Sequence, residues 1–120
     1  MSNQQNSNGK NMYNKYIVTD ETKTIVGITL HRIQAIKDFG TIKKGDKGGW
    51  IEKYSNLSQE NKSWVSGNAQ VSGDAQVSGD AWVFGNARVF GNAWVYGNAW
   101  VYGDAHISGN AQISGNAWVW

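Results

Sequence analysis

The chain has 120 residues, a formal charge of +2, and neither cysteine nor proline. That length holds one domain or two very small ones, and the missing thiols exclude a disulfide framework and a thiolate metal site. The weak charge argues against nucleic-acid binding through a bulk field.

Charge is split along the chain. Residues 1–62 carry ten Lys/Arg against six Asp/Glu, while residues 63–120 carry Arg88 against Asp74, Asp80 and Asp104. The lysines are scattered rather than striped, which reads as a solvated surface. No apolar run approaches the ~18–20 residues of a membrane span, and no signal-peptide core is present. A soluble protein of the cytoplasm is the expectation.

Residues 1–14, MSNQQNSNGKNMYN, are rich in Asn, Gln and Ser and offer almost nothing to bury. They are expected to form a disordered tail. Tyr16–Thr19 reads as a strand and Asp20–Lys23 as a polar turn. From Thr24 to Asp38, β-branched residues alternate with polar ones, which favours a hairpin or meander. Leu30, Ile33 and Ile36 also fit helical spacing, so a helix over residues 30–39 competes. Residues 40–50, GTIKKGDKGGW, read as a Gly-rich connection. The GDKGG run lacks the strand-to-helix context a phosphate-cradling loop needs. Ile51 and Leu57, six residues apart, fit the start of a degenerate first coil.

Residues 63–120 hold nine complete six-residue units and four residues of a tenth, with no insertion. Each reads Ala-x-Val-x-Gly-Asn/Asp. In the Ala-x-Val triplet, Ala and Val point one way and x the other. Gly accepts positive φ, and Asn or Asp tolerates the left-handed region, so x-Gly-Asn/Asp is a corner. The ladders Ala69 to Ala117 and Val65 to Val119, each advancing by six, are the expected core. A solenoid's terminal coil exposes unpaired backbone groups and an open core, so residues 15–62 are expected to fold as a cap over the N-terminal end of the repeat. The C-terminal end, with no Lys, Pro or bulge in its last strand, is an expected pairing surface.

This repeat resembles the hexapeptide repeat of left-handed parallel β-helices, in which three hexads close a triangular coil of eighteen residues. The resemblance implies an all-β fold, a left-handed parallel β-helix carrying a small N-terminal β cap. Handedness comes from the resemblance alone. Residues 22–61 followed by the repeat also resemble small proteins of phages and prophages that join a similar cap to hexapeptide repeats.

An eighteen-residue coil stacks residues eighteen apart at the inter-strand spacing of about 4.8 Å. The outward positions then sort into three columns: Trp64, Trp82, Trp100, Trp118; Gln70, Arg88, His106; and Gln76, Trp94, Gln112. Ser66, Phe84, Tyr102 and Trp120 run beside the first. Four of the seven Trp thus share one column. Aromatics also decorate β surfaces by propensity alone, but a contiguous apolar wall of this size is uncommon on a monomer.

Three uses of that wall are open: a self-association interface, a stacking platform for bases or sugars, and a docking face for a host protein. The interface or stacking set is Trp64, Trp82, Phe84, Trp100, Tyr102, Trp118 and Trp120. Arg88, Trp94, Tyr96 and His106 are candidate ligand-binding residues. Hexapeptide β-helices are often acyltransferases with a His general base, which makes His106 the alternative catalytic candidate. The nearest acidic residue in sequence, Asp104, occupies a corner position, and no loop interrupts a coil to shape a donor cleft. The Asp residues at the corners alternate freely with Asn, so they read as turn chemistry rather than a calcium site, and no metal or cofactor is expected. The expectation is a non-enzymatic homo-oligomeric binding protein of phage type. It would act in the bacterial cytoplasm by sequestering a nucleotide-like ligand or occluding a host protein.

Overall fold

A computed structural model describes residues 15–120; the tail expected over residues 1–14 lies outside the described residues. Strands β1 (Tyr16–Ile25) and β2 (Ile28–Ala35) form an antiparallel hairpin, and β3 (Lys47–Ile51) pairs antiparallel with β2. A short 3-10 turn, Tyr54–Asn56, comes next. Ten two-residue strands then run from β4 (Trp64–Val65) to β13 (Trp118–Val119), one per hexad.

Each short strand pairs in parallel with the strand three hexads on, so Trp64 meets Trp82, Trp82 meets Trp100 and Trp100 meets Trp118. The pairing makes three walls. The first is β4-β7 (Trp82–Val83)-β10 (Trp100–Val101)-β13. The second joins the cap strands to β5 (Gln70–Val71), β8 (Arg88–Val89) and β11 (His106–Ile107). The third holds β6 (Gln76–Val77), β9 (Trp94–Val95) and β12 (Gln112–Ile113). The fold is a parallel β-solenoid of eighteen residues per coil, as the hexad spacing requires. Backbone bonds run coil to coil, for example Trp82 N to Ala99 O at 3.0 Å and Phe84 N to Val101 O at 2.9 Å.

The core is a thin column of Ala and Val. Val65 to Val101 and Ala69 to Ala99 have relative exposures of 0–1%. Burial declines toward the last coil: Ala105 and Ile107 are at 6% and 7%, and Ala117 is exposed. The decline has a geometric cause, because each coil's core is closed by the coil stacked above it.

The first coil is irregular. Ile51 pairs with Val71 and Leu57 bridges to Val77, each twenty residues apart rather than eighteen. The two extra residues fall between Leu57 and Trp64. In regular coils, outward-position N–H groups donate to carbonyls of the next coil. Here the 3-10 turn breaks that pattern, and the Asn56 side chain repairs it. Its Nδ2 donates to Gly73 O (3.1 Å) and Ala75 O (2.9 Å), while Oδ1 accepts from Glu52 N and Lys53 N.

Two expectations for the cap are corrected and one open choice is decided. Asp20–Lys23 is not a turn: β1 runs through it with a bulge between Val18 and Thr22, and the reversal lies at Val26-Gly27, both at positive φ (50° and 79°). Over residues 30–39 the favoured hairpin holds against the competing helix: β2 runs to Ala35, with Leu30 and Ile33 buried in the sheet. Lys47–Ile51 is strand, not connection. Gly48 and Gly49 are buried there because the solenoid packs against them: a Cβ on Gly48 would stand 2.6 Å from Val65 O and 2.7 Å from the Trp64 ring. Gly48 and Gly49 of the GDKGG run therefore serve close packing.

Candidate functional site

The backbone of the first wall holds its aromatic side chains in two parallel columns. Trp100 and Trp118 stack with ring centroids 5.4 Å apart and planes within 8°. Phe84 and Tyr102 stack at 5.1 Å and 7°, and Tyr102 and Trp120 at 5.7 Å and 24°. Phe84 links the columns, meeting Trp82 edge-on at 6.5 Å and Trp100 edge-on at 5.7 Å. Such offset-stacked and T-shaped pairs are the favoured aromatic geometries, each adding about 0.5–1.5 kcal/mol beyond area burial. Trp100, Trp118 and Trp120 remain 41%, 60% and 74% exposed.

Trp64 departs from its sequence assignment. It starts the same column but is 1% exposed. The cap covers it: Phe39 meets its ring edge-on at 5.2 Å and Tyr16 at 6.3 Å. Trp64 is therefore core, and the exposed ladder begins at half-buried Trp82.

The ladder is interrupted once. Trp82 and Trp100 are backbone partners, yet their indoles make no ring contact with each other, and both turn to Phe84 instead. A groove of about 580 Å³ opens at this gap, lined by Trp82, Phe84, Trp100 and Ser66 on the wall and by Phe39, Gly40, Thr41 and Lys62 from the cap. Phe39, Thr41 and Lys62 were not legible as site residues. They lie outside the repeat, so no period flags them.

The second wall carries Arg88 beside His106, in register and exposed. Below them, Trp50 continues the column and is 6% exposed. Lys23 lies over its ring at 4.3 Å and Arg32 at 4.6 Å. Arg32 also pairs with Glu21 at 3.4 Å and donates to Gly48 O at 3.1 Å. Burial, then the neighbouring Arg32 and Arg88, lowers the Lys23 pKa. A shallower groove of about 330 Å³ lies between the hairpin tip (Ile25, Val26, Ile28) and Gln70, Arg88 and Phe90.

Trp94 and Tyr96 meet edge-on at 6.3 Å on the third wall. The candidate ligand set Arg88, Trp94, Tyr96 and His106 is thus divided between two walls, because adjacent hexads occupy adjacent walls. These residues do not converge on one site. Among the described residues, no cluster of three or more His, Cys, Asp or Glu could hold a metal, and no helix is long and apolar enough to cross a membrane.

Under the cap, the Lys15 ammonium is buried. It donates to Ser63 O at 2.6 Å and Ser63 Oγ at 3.1 Å, and lies 5.2 Å from the Phe39 ring centroid. Burial, then Lys37, lowers its pKa from 10.5 to about 7, against a raising influence of Asp80. These contacts anchor the start of the cap to the residue that opens the regular coils.

Parallel coils, a repeated corner and a cap over one end define a β-solenoid repeat protein. Residues 69–83 and 81–97 match the YdcK beta-solenoid repeat family. No match was found among curated proteins.

Proposed function

We propose that this protein is a non-enzymatic, homo-oligomeric binding protein of the phage or prophage type its cap and hexapeptide repeats resemble. It acts in the bacterial cytoplasm on a host process such as antiviral defence, by sequestering a small nucleotide-like ligand or by occluding a host protein. The observation that carries the reading is the stacked, exposed aromatic wall of Trp100, Tyr102, Trp118 and Trp120. Large indoles held rigid by mutual stacking lose little conformational freedom on contact, which is why Trp and Tyr dominate interface energetics.

The acyltransferase alternative gains no support from the surroundings of His106. Its in-register neighbour is Arg88, a cation, where a general base requires an orienting acceptor. Light scattering tests the self-association. The wild type is expected to run as an oligomer, and Trp118→Ala/Trp120→Ala is expected to reduce it to a smaller species. A monomeric wild type overturns the reading.

A further inference from the structure

The groove at the break in the indole ladder has a chemistry of its own. Trp118 covers the face of Trp100 that looks away from the cap, stacking at 5.4 Å. On the cap side Trp100 has no stacked ring: Trp82 makes no ring contact with it, Phe84 meets it edge-on at 5.7 Å, and the 580 Å³ groove is bordered by all three. That volume falls within the range of small-ligand sites. The floor is the Phe84 ring, edge-on to both indoles.

The rim is polar on the cap side. Thr41 and Ser66 bring hydroxyls, and Lys62 brings an ammonium with no acceptor among the described residues. The Asp80 carboxylate accepts from the Lys62 backbone N–H at 3.3 Å rather than from its ammonium. An indole stacked on one side only, with an unpaired cation at the rim, suits a flat ring joined to an anionic group.

We infer that this groove binds a nucleoside monophosphate, its base stacked against Trp100 from the groove side and its phosphate against Lys62. Stacking on an aromatic side chain tolerates any base because every base has a π-face, so the groove selects the class rather than one base. The inference rests on the small-ligand side of the proposed function, but neither Trp118 nor Trp120, whose loss tests the self-association, lines the groove.

Isothermal titration calorimetry with AMP and GMP tests it on the full chain. Both nucleotides are expected to bind, and adenosine to bind more weakly than AMP. Trp100→Ala is expected to weaken AMP by about tenfold or more. Lys62→Gln is expected to reduce AMP binding to the level of adenosine. Thr41→Trp fills the groove from the exposed cap side without altering a residue of the coils, and is expected to abolish binding while circular dichroism and oligomer size stay unchanged. Absence of nucleotide binding by the wild type overturns the inference. So does equal AMP affinity in Thr41→Trp, which would place binding elsewhere, or binding of indole-3-acetate in preference to AMP, which would assign the groove to aromatic carboxylates. Trp100 also belongs to the wall proposed for self-association, so Lys62→Gln and Thr41→Trp, which lie outside that wall, keep the two readings apart, with light scattering reading the oligomer separately.

Discussion

The ammonium of Lys15 donates to the carbonyl of Ser63 at 2.6 Å, forty-eight residues away, with both residues fully buried. This bond ties the first described residue to the first coil and makes cap docking sensitive to pH. In the unfolded chain Lys15 keeps its proton up to its ordinary pKa of 10.5, whereas burial lets it go near 7 in the folded chain. Between those values the unfolded state binds more protons, so stability rises as pH increases from 7. Below pH 7 both states are protonated and this slope vanishes. Tyr16 acts in the opposite sense. Burial, then Tyr54, raises its phenol pKa above the ordinary 10.0, so beyond pH 10 the unfolded state loses its proton first and stability falls. Thermal melts across pH should rise from neutral pH to a maximum near about pH 10 and then decline. Lys15→Met should flatten the rising arm. A wild-type melting temperature constant from pH 7 to 10 would show that the Ser63 oxygens hold the charge.

Two indoles of one column should respond differently to truncation. Trp64 is covered by Phe39 and Tyr16, and Trp64→Ala leaves a cavity beneath the cap at a cost of about 3–5 kcal/mol. Trp118 is 60% exposed, and Trp118→Ala should cost about 1 kcal/mol or less while reducing self-association. Denaturant titration beside light scattering separates the two effects. Equal stability losses would show that Trp118 is also covered in solution.

Positions inside the repeat were legible because a strict period fixes which way each side chain points. Val83, Ala87 and the in-register pair Trp82–Trp100 lie where the hexad puts them. The cap was less legible because its contacts span long sequence separations with no repeat to expose them. Trp64 reads as outward by period, and only the distant Phe39 and Tyr16 make it core. The turn was sought at the polar DETK run, yet a bulged strand carries those residues and the chain reverses at Val26-Gly27. Periodicity also groups Arg88 and Trp94 too loosely: six residues suffice to turn one corner and change walls.

Val26 invites a stabilising change. It occupies the first central position of a two-residue hairpin at φ 50°, where a β-branched side chain is strained, and it is 95% exposed. Asn-Gly is the favoured pair for a turn with positive φ at both positions. Val26→Asn should raise stability by about 1 kcal/mol, read as a melting-temperature increase of a few degrees. A decrease would show that the Val26 side chain makes a contact in the assembled protein.

Asn56 is buried and uses both lone-pair sites and both donors of its amide. Asn56→Asp keeps the shape and the accepting oxygen but turns the second oxygen toward the carbonyls of Gly73 and Ala75. Two backbone acceptors then lose their donor and face a like partial charge. The expected loss is about 2–4 kcal/mol at pH 7, measured by denaturant unfolding. It should shrink in acid, where a protonated carboxyl can donate to one of the two carbonyls. A neutral effect at pH 7 would mean that the first coil relaxes to bond those carbonyls another way.

The corner glycines supply a matched comparison along one solenoid. Gly97 and Gly109 have nearly the same φ, 67° and 64°, so replacing either with Ala incurs the same left-handed strain of about 1–2 kcal/mol. Their surroundings differ. A Cβ at Gly97 would stand 2.8 Å from Gly115 N and 3.1 Å from Gly115 O, backbone atoms that cannot move without opening the next corner. At Gly109 nothing lies within 4 Å. Gly97→Ala should therefore be the more destabilising of the two by about 1–3 kcal/mol, the usual cost of overpacking. If both variants unfold at the same denaturant concentration, the stacked corners are looser than the coil-to-coil hydrogen bonds imply, or a further layer covers Gly109 as Gly115 covers Gly97.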